Sequence, residues 1–329
     1  MFWLRLILVV LRALLLGALR RLVARRLHPS WSYRTEVVAT VARWIAARAA
    51  AVPVARVRAA MPGAPLPRRL ARRVVSSSAP LGGVGAEWLT PQGWRAGDPC
   101  VLYLHGGGYV LCSPATHREL MARLAVASGA RVIGIDYRLA PEHPFPAALD
   151  DSLAAYRALL RAGVPPERLV LGGDSAGGGL CLAAMAELGR TSEPLPAAAL
   201  LLSPWVDLAC TGPTIEQNAP YDYLSRRLLE SYAAHYLHGA DPRNPKASPL
   251  YAKLAGLPPL LVHTGGAEAL LWENRELAAR ARAAGVVITH RVMAGMIHAW
   301  HGFARFLPEG RHAIAELGEF VRARCSPGA

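Results

Sequence analysis

Gly173-Asp174-Ser175-Ala176-Gly177 is a G-x-S-x-G pentapeptide that joins an apolar stretch at 168–172, predicted to be a strand, to a helical stretch beginning at Ala176. Glycines two positions before and two positions after the serine allow backbone and helix to approach each other closely. A pentapeptide of this kind at a strand-to-helix turn is typical of a nucleophile elbow, whose strained turn lifts the serine hydroxyl clear of the sheet. We therefore predict that Ser175 is a nucleophile.

A second glycine motif, His105-Gly106-Gly107-Gly108, follows another apolar stretch at 101–104. Both motifs come at the C-terminal end of a predicted strand, so the two loops are expected to open on the same edge of the sheet. Consecutive glycines leave backbone N–H groups unshielded, and a developing oxyanion requires donors that are fixed in advance. An HGGG loop followed by a G-x-S-x-G elbow is much more specific than either motif alone. The pair predicts Gly107, Gly108 and Ala176 as oxyanion donors.

A serine nucleophile needs a general base and a group that orients this base, here in the chain order serine, acid, histidine. Most of the eleven histidines lie upstream of the elbow, on predicted helices or inside predicted strands, where a structural role is the better interpretation. His298 and His301 remain, because both follow the last predicted strand across the turn at 294–296. We predict that His298, which is nearer to the turn, points into the cleft, and that His301 is a neighbour or a surface residue.

The candidate acid is Glu268, which comes shortly after the predicted strand at 259–262 and before a helical stretch. A carboxylate just past one strand can reach the back of an imidazole on the adjacent loop. Glu273 is the reserve candidate, although the helical period assigns it to the following helix. The alternative interpretation of Glu268 is an acidic residue that the dipole favours at a helix N-terminus.

These residues together resemble the hormone-sensitive-lipase family of α/β-hydrolases, whose bacterial members are mostly carboxylesterases. The resemblance runs from about Pro99 to Phe303. It rests on ordered motifs, namely His105-Gly106-Gly107-Gly108, Asp136-Tyr137-Arg138-Leu139-Ala140-Pro141-Glu142, Gly172-Gly173-Asp174-Ser175-Ala176-Gly177-Gly178, Ser248-Pro249-Leu250, Leu257-Pro258-Pro259 and Gly295-Met296-Ile297-His298. One departure is Glu268, because many members have an aspartate there. A subset uses glutamate, and the longer side chain can still accept a hydrogen bond from imidazole Nδ1–H.

Predicted strands and helices alternate along the chain, which indicates an α/β fold with a mostly parallel central sheet flanked by helices. We divide the chain into an apolar and basic N-terminal helix at 1–27, cap helices with a linker at 28–75, and an α/β-hydrolase catalytic domain at 76–329. A proline-rich insertion at about 206–249 breaks the alternation. The resemblance implies that it contributes to a helical cap over Ser175. Its Leu, Trp and Tyr residues would favour acyl chains, and its small volume would disfavour long ones.

The net charge of +14 comes almost entirely from arginine, since the chain has 37 basic residues and only Lys246 and Lys253 are lysines. The arginines are spread thinly through the catalytic domain, so we expect no nucleic-acid partner. They cluster only near the start, where Arg20, Arg21, Arg25 and Arg26 follow an apolar run.

That apolar run contains Arg5 and Arg12 on one helical face. In a spanning helix the central Arg12 would cost ~2.5–3.5 kcal/mol, whereas a helix lying in the plane of an anionic membrane surface avoids this cost. The alternative is a cap helix that packs on the enzyme itself. A poorly cleaved export signal is the third interpretation, although no convincing cleavage site follows the apolar run.

The sequence predicts a serine carboxylesterase that hydrolyses short to medium acyl esters. A membrane-associated lipase or an N-acyl (acetyl) hydrolase would use the same catalytic parts. A non-catalytic binding module on this fold is disfavoured by the presence of His298. Five scattered cysteines without C-x-x-C spacing, and the lack of a Walker loop, predict no metal site and no cofactor. The expected location is cytoplasmic, with membrane association through the N-terminal segment left open.

Overall fold

The computed structural model describes residues 2–22 and 26–326. Their central element is a sheet of eight strands. The strands are β1 (Val74–Ser78), β2 (Ala86–Pro91), β3 (Cys100–Leu104), β4 (Arg131–Ile135), β5 (Leu169–Asp174), β6 (Ala198–Leu202), β7 (Leu260–Gly265) and β8 (Ile288–Met293). Their spatial order is β1-β2-β4-β3-β5-β6-β7-β8. β1 pairs antiparallel with β2, and β2 pairs antiparallel with β4. All other neighbouring strands, in the order β4-β3-β5-β6-β7-β8, pair parallel.

Helices cover both faces of this sheet. They are α1 (Phe2–Leu22), α2 (Tyr33–Ala49), α3 (Val54–Ala59), α4 (Arg68–Ala71), α5 (Pro114–Ser128), α6 (Ala147–Arg161), α7 (Ala176–Arg190), α8 (Thr214–Gln217), α9 (Arg226–Leu237), α10 (Leu271–Ala283) and α11 (Pro308–Arg324). One apolar core joins the sheet to α5 and α11, and a larger one joins the opposite face to α6, α7 and α10. The predicted α/β fold with a mostly parallel sheet and flanking helices is confirmed.

The strands beside the elbow have apolar residues on both faces because helices cover both. Every residue of β3, β5 and β6 is buried. The parallel arrangement brings the carboxyl ends of β3, β5, β7 and β8 to one edge of the sheet. The two glycine motifs and the loops that carry Glu268 and His298 therefore open on this edge, as expected from the sequence.

The segment between β6 and β7, residues 203–259, contains α8, α9 and a 3₁₀ turn at Pro249–Tyr251. It contacts the N-terminal helices, since Arg43 of α2 donates a hydrogen bond to the carbonyl of Pro220. Trp31, just before α2, donates its indole N–H to the carbonyl of Gly295, in the loop after β8. The N-terminal helices and the insertion therefore meet beside the loop that carries His298.

One side of α1 packs against α2. Ala13 is buried, and a side chain at Gly17 would contact the Tyr33 ring. Arg20 and Arg21 form ion pairs with the buried carboxylate of Glu36, at 3.1 and 3.6 Å. Within the described residues, no helix combines the length and the apolar character needed to cross a membrane.

Candidate active site

The turn at Ser175 has the strained backbone of a nucleophile elbow. Its φ of 53° and ψ of −123° lie outside the regions that residues with a side chain normally occupy. Two backbone hydrogen bonds of 2.9 Å hold the turn, from the Ser175 N–H to the Leu202 carbonyl and from the Trp205 N–H to the Ser175 carbonyl. A side chain at Gly177 would collide with the Leu104 carbonyl oxygen, so this position must be glycine for α7 to approach β3.

The loop at 105–108 lies directly beside the elbow. Gly106 donates its N–H to Asp174 Oδ1 at 3.1 Å, which ties the loop to the residue before the serine. Among the described residues, no group accepts a hydrogen bond from the N–H of Gly107 or Gly108. Ala176 is the first residue of α7, so its N–H also has no acceptor within the helix. These three N–H groups are therefore available to a ligand.

Gly108 lies against α9 of the insertion between β6 and β7. Its φ is 64°, and a side chain at this position would collide with the ring of Tyr232 on α9. The Tyr232 ring therefore covers the glycine loop, and the insertion packs directly against this loop.

The buried carboxylate of Asp174 connects the glycine loop to β3 and α5. Asp174 Oδ1 accepts hydrogen bonds from the Tyr103 hydroxyl at 2.9 Å and from Gly106, and Oδ2 lies 3.2 Å from Nε2 of His117 on α5. Burial by itself raises the pKa of Asp174, but the His117 imidazole more than offsets this and holds it below the usual range. The same pairing raises the pKa of His117 against the opposing effect of burial. His117 thus helps to anchor the loop, a role that its place in the sequence did not indicate.

His105 supports the loop as a neutral side chain. Its ring stacks on Tyr137 at a centroid distance of 4.3 Å, and its Nδ1 lies 2.7 Å from the Gly106 carbonyl oxygen. The Tyr137 hydroxyl donates to the His105 carbonyl at 2.7 Å. Burial lowers the pKa of His105 to about 3. The imidazole therefore stays uncharged at neutral pH and braces the glycine loop.

Glu268 and His298 lie on neighbouring loops and are both buried. The Ser203 hydroxyl donates to Glu268 Oε2 at 2.6 Å and accepts from the N–H of Ala299 at 3.1 Å. Ser203 therefore links the acid directly to the residue after the histidine. Burial raises the pKa of Glu268 well above its ordinary value, although the bond from Ser203 opposes this shift.

The predicted hydrogen bond between Glu268 and His298 is not formed in this structure. The carboxylate instead accepts from Ser203, from the Gly265 N–H at 2.8 Å and from the Asn274 amide at 3.4 Å. His298 Nδ1 is buried and has no hydrogen-bond partner in the described part of the chain. Burial lowers the pKa of His298 to about 4, so its imidazole is neutral at neutral pH.

The reserve acid Glu273 is directed elsewhere. Its Oε1 accepts hydrogen bonds from the N–H groups of Val206 and Asp207, at 2.7 and 3.3 Å, and so holds the loop after β6. Within residues 2–22 and 26–326, no hydrogen bond or ion pair joins Glu273 to His298, whereas Glu268 is linked through Ser203 to the residue after His298. The interpretation of His301 as a surface residue is wrong. Its side chain is buried, and Nε2 lies 3.1 Å from Nδ1 of His263, because the 3₁₀ turn Trp300–Phe303 folds it against β7.

A cavity of about 240 Å³ lies between α2, α3 and α9, and we call it the cap cavity. Leu111 and Tyr232 connect its lining to the glycine loop. The remaining lining residues are mostly apolar or small: Ala49, Ala50, Val52, Pro53, Val54, Val57, Arg227, Leu228, Ser231 and His235. Across the described residues, no group of three or more His, Cys, Asp or Glu side chains could hold a metal ion.

Known proteins share this architecture. A family model described as an α/β hydrolase fold matches residues 101–302. An acetyl-hydrolase of Streptomyces hygroscopicus is 46% identical over 249 residues, which cover 75% of this chain and 83% of that protein. An esterase of Acinetobacter venetianus is 36% identical over 243 residues, 73% of this chain and 80% of the esterase.

Solved structures of esterases also superpose on this chain. An esterase from the bacterial hormone-sensitive lipase family superposes with a TM-score of 0.83 at 44% identity, covering 90% of this chain and 100% of that chain. EstE5, in crystals soaked with p-nitrophenyl butyrate, superposes with a TM-score of 0.80 at 43% identity. The match covers 84% of this chain and 92% of the EstE5 chain.

The sheet order and these likenesses define an α/β-hydrolase. Within that fold class the chain belongs to the hormone-sensitive-lipase family, as its motifs had indicated. It is a carboxylic ester hydrolase.

Proposed function

We propose that this enzyme is a serine carboxylesterase that hydrolyses short to medium acyl esters with Ser175, His298 and Glu268 as its catalytic triad. The observation that carries the proposal is the strained backbone of Ser175 beside the unused N–H groups of Gly107 and Gly108. A strained serine next to free amide donors is the arrangement that acyl transfer requires.

In the proposed reaction, Ser175 Oγ attacks the ester carbonyl carbon while His298 removes its proton. The resulting oxyanion accepts hydrogen bonds from Gly107, Gly108 and Ala176. His298 then gives the proton to the departing alcohol, and a water molecule, activated by the same imidazole, releases the acid from the serine. Burial lowers the pKa of His298 to about 4, so its imidazole is uncharged at neutral pH and can accept the proton from Ser175.

Glu268 acts on the other side of the imidazole. We expect its carboxylate to turn towards Nδ1 when substrate binds, because Nδ1 is buried and no described group satisfies it. Catalytic hydrogen bonds commonly shorten only in the substrate complex. A positive charge on His298 would also favour the ionised form of Glu268, so the two charges develop together.

The cap is proposed to consist of the N-terminal helices and the insertion between β6 and β7. We propose the cap cavity as the acyl site, because Leu111 and Tyr232 join its lining to the glycine loop. Its volume of about 240 Å³ lies below the ~300–1,000 Å³ of pockets for drug-sized ligands, which suits short to medium acyl chains. The name of the acetyl-hydrolase relative and the p-nitrophenyl butyrate soak of EstE5 support the same range.

We expect hydrolysis of p-nitrophenyl esters from acetyl to palmitoyl to peak at short or medium chains, because the proposed acyl cavity is small. The measurement is kcat/KM across this series for the wild-type enzyme and for Ser175→Ala. A serine-dependent peak at palmitoyl would instead indicate a lipase, and no activity on any ester would overturn the proposed function.

We also propose that α1 lies on an anionic membrane surface. Its side away from α2 exposes a stripe formed by Ile7, Leu8, Leu11, Leu15 and Leu19, with Leu11 56% and Leu15 62% exposed. Exposed Arg12 borders this stripe, where its guanidinium can reach headgroups while its stem stays apolar. Arg20 and Arg21 pair with Glu36 instead, and Arg25 lies outside the described residues. The same helix can thus pack on the enzyme with one side and bind lipid with the other.

The double substitution Leu11→Ser/Leu15→Ser is expected to reduce co-sedimentation with phosphatidylserine-containing vesicles by several-fold, because it interrupts the stripe without touching the α1–α2 contact. Turnover of a soluble ester should stay within twofold. Val75→Ser/Val287→Ser is the matched control, since both valines are exposed and lie far along the chain from α1. Equal sedimentation of the two double variants would refute the membrane proposal.

A further inference from the structure

The insertion is fastened to the loop that carries Glu268, residues 266–270, which we call the acid loop. Thr214 donates its hydroxyl to the Ala269 carbonyl at 2.7 Å, and the Asn218 amide donates to the Glu268 carbonyl at 2.8 Å. Asp222 Oδ2 accepts the N–H of Ala269 at 2.7 Å. Each of these three side chains lies four residues after the one before it in the sequence. Three successive turns of the insertion therefore bond to the same short piece of backbone.

Asp222 differs from the other two because it also reaches the loop that carries His298, residues 294–299, which we call the histidine loop. Its Oδ1 accepts the N–H of His298 at 3.1 Å and the N–H of Tyr223 at 2.9 Å. The Tyr223 ring meets the imidazole of His298 edge-on, at a centroid distance of 5.7 Å. One carboxylate from the insertion thus bridges the backbone of the acid loop and the backbone of the histidine itself.

A buried carboxylate without a salt bridge is costly unless several donors satisfy it. Asp222 is 2% exposed and forms no ion pair with any described residue. Three backbone N–H groups offset part of the cost of its burial, and an ionised carboxylate is the side chain that can accept from all of them with two equivalent oxygens. An asparagine has a single oxygen, so its NH₂ group would face an N–H donor. The donor set therefore requires a carboxylate at this position.

We propose that Asp222 is a positioning residue, which fixes the histidine loop against the acid loop so that His298 is aligned for proton transfer when the insertion is seated. This inference rests on the proposed function. Asp222 touches neither the substrate nor the reacting atoms, and it acts through the backbone of His298. A displacement of about 1 Å at a reacting group can cost ~10²-fold in rate, so an anchor of this kind has a measurable effect.

The Asp222 carboxyl is buried among other titratable groups. Those that interact with its charge are the carboxyl of Glu268, the phenol of Tyr223 and the guanidinium of Arg43. Burial raises the pKa of Asp222 to about 6, against the three backbone hydrogen bonds. Because the buried carboxyl binds its proton more readily than an exposed one with an ordinary pKa, lowering the pH through about 6 does not by itself release the insertion. The anchor is therefore tested by replacing the side chain rather than by titrating it, and His298 itself protonates only near pH 4.

The test compares the wild-type enzyme with Asp222→Asn, using p-nitrophenyl butyrate. We expect Asp222→Asn to lower kcat by about 10–100-fold, with KM within about threefold. Asp241→Asn is the matched control, since this exposed aspartate of the same insertion accepts a hydrogen bond from the N–H of Arg243 in a local turn. It should behave like the wild-type enzyme.

A kcat for Asp222→Asn within twofold of wild type would overturn the inference. If the variant does not fold, amide exchange in the wild-type enzyme decides, because fast exchange at the N–H groups of Ala269 and His298 would contradict the anchor. Amide hydrogen exchange separates the inference from the proposed function, since it needs no turnover. Asp222→Asn should speed exchange at Ala269 and His298 at least tenfold even if no ester is hydrolysed, and unchanged exchange there would refute the anchor.

Discussion

Ser175→Ala is expected to lower kcat for p-nitrophenyl butyrate by about 10⁴–10⁶-fold while leaving the fold intact. The hydroxyl oxygen, Oγ, forms the bond to the acyl group, so no neighbouring side chain can replace it. Alanine has the same backbone restrictions as serine, so the strain at a φ of 53° is retained. The measurement is a progress curve at high enzyme concentration, with the thermal unfolding midpoint recorded alongside.

The matched control for this substitution is Ser192→Ala. Ser192 also has a positive φ, 57°, but it is exposed and follows the C-terminal end of α7, at the opposite end from Ser175. It should keep wild-type turnover. A Ser175→Ala enzyme that retained a tenth of the wild-type rate would exclude the proposed nucleophile.

Gly108→Ala is expected to lower kcat by about 10²–10³-fold, the loss typical of removing one oxyanion donor. The alanine keeps its N–H, but its methyl group would collide with the Tyr232 ring, and a φ of 64° disfavours any side chain. The loop must move to relieve both problems, which takes the N–H away from the oxyanion. The measurement is kcat and KM with p-nitrophenyl butyrate, and KM should change much less than kcat.

Two further variants separate the collision from the strain. Gly239→Ala places a methyl group at an exposed glycine of the insertion whose φ is 90° and where no atom lies within 4 Å. It should cost stability without affecting turnover. Gly108→Ala combined with Tyr232→Ala removes the collision and should recover part of the lost kcat. Turnover of Gly108→Ala within threefold of wild type would argue against the glycine loop as the oxyanion site.

Local patterns predicted the sheet because its central strands are short apolar runs that glycines interrupt. The predicted strands at 101–104, 168–172 and 259–262 correspond to β3, β5 and β7, and their limits differ from those in the structure by at most three residues. The strand β1 was missed. Its sequence Val-Val-Ser-Ser-Ser is largely polar, and four of its five residues are exposed at the sheet edge, so no apolar pattern marks it.

Long-range contacts at the site could not be predicted in the same way. Asp222 bonds to a backbone group 76 residues away, and Ser203 bonds to a carboxylate 65 residues away. In the sequence both residues look like ordinary turn residues, and His117 looks like one polar position on a helix. Their roles exist only once parallel strands bring separate loops to one edge. The elbow and the glycine loop, by contrast, carry their chemistry within a few consecutive residues.

The hydrogen bond from Trp31 to Gly295 spans 264 residues of the chain. A ribosome adds roughly 5–20 residues per second, so Trp31 emerges at least ten seconds before its partner exists. During this interval α2 and the indole have no histidine loop to pack against. The proposed catalytic base, His298, is therefore locked in place only after residues 295–298 have been made, and a nascent chain shorter than this is expected to be inactive.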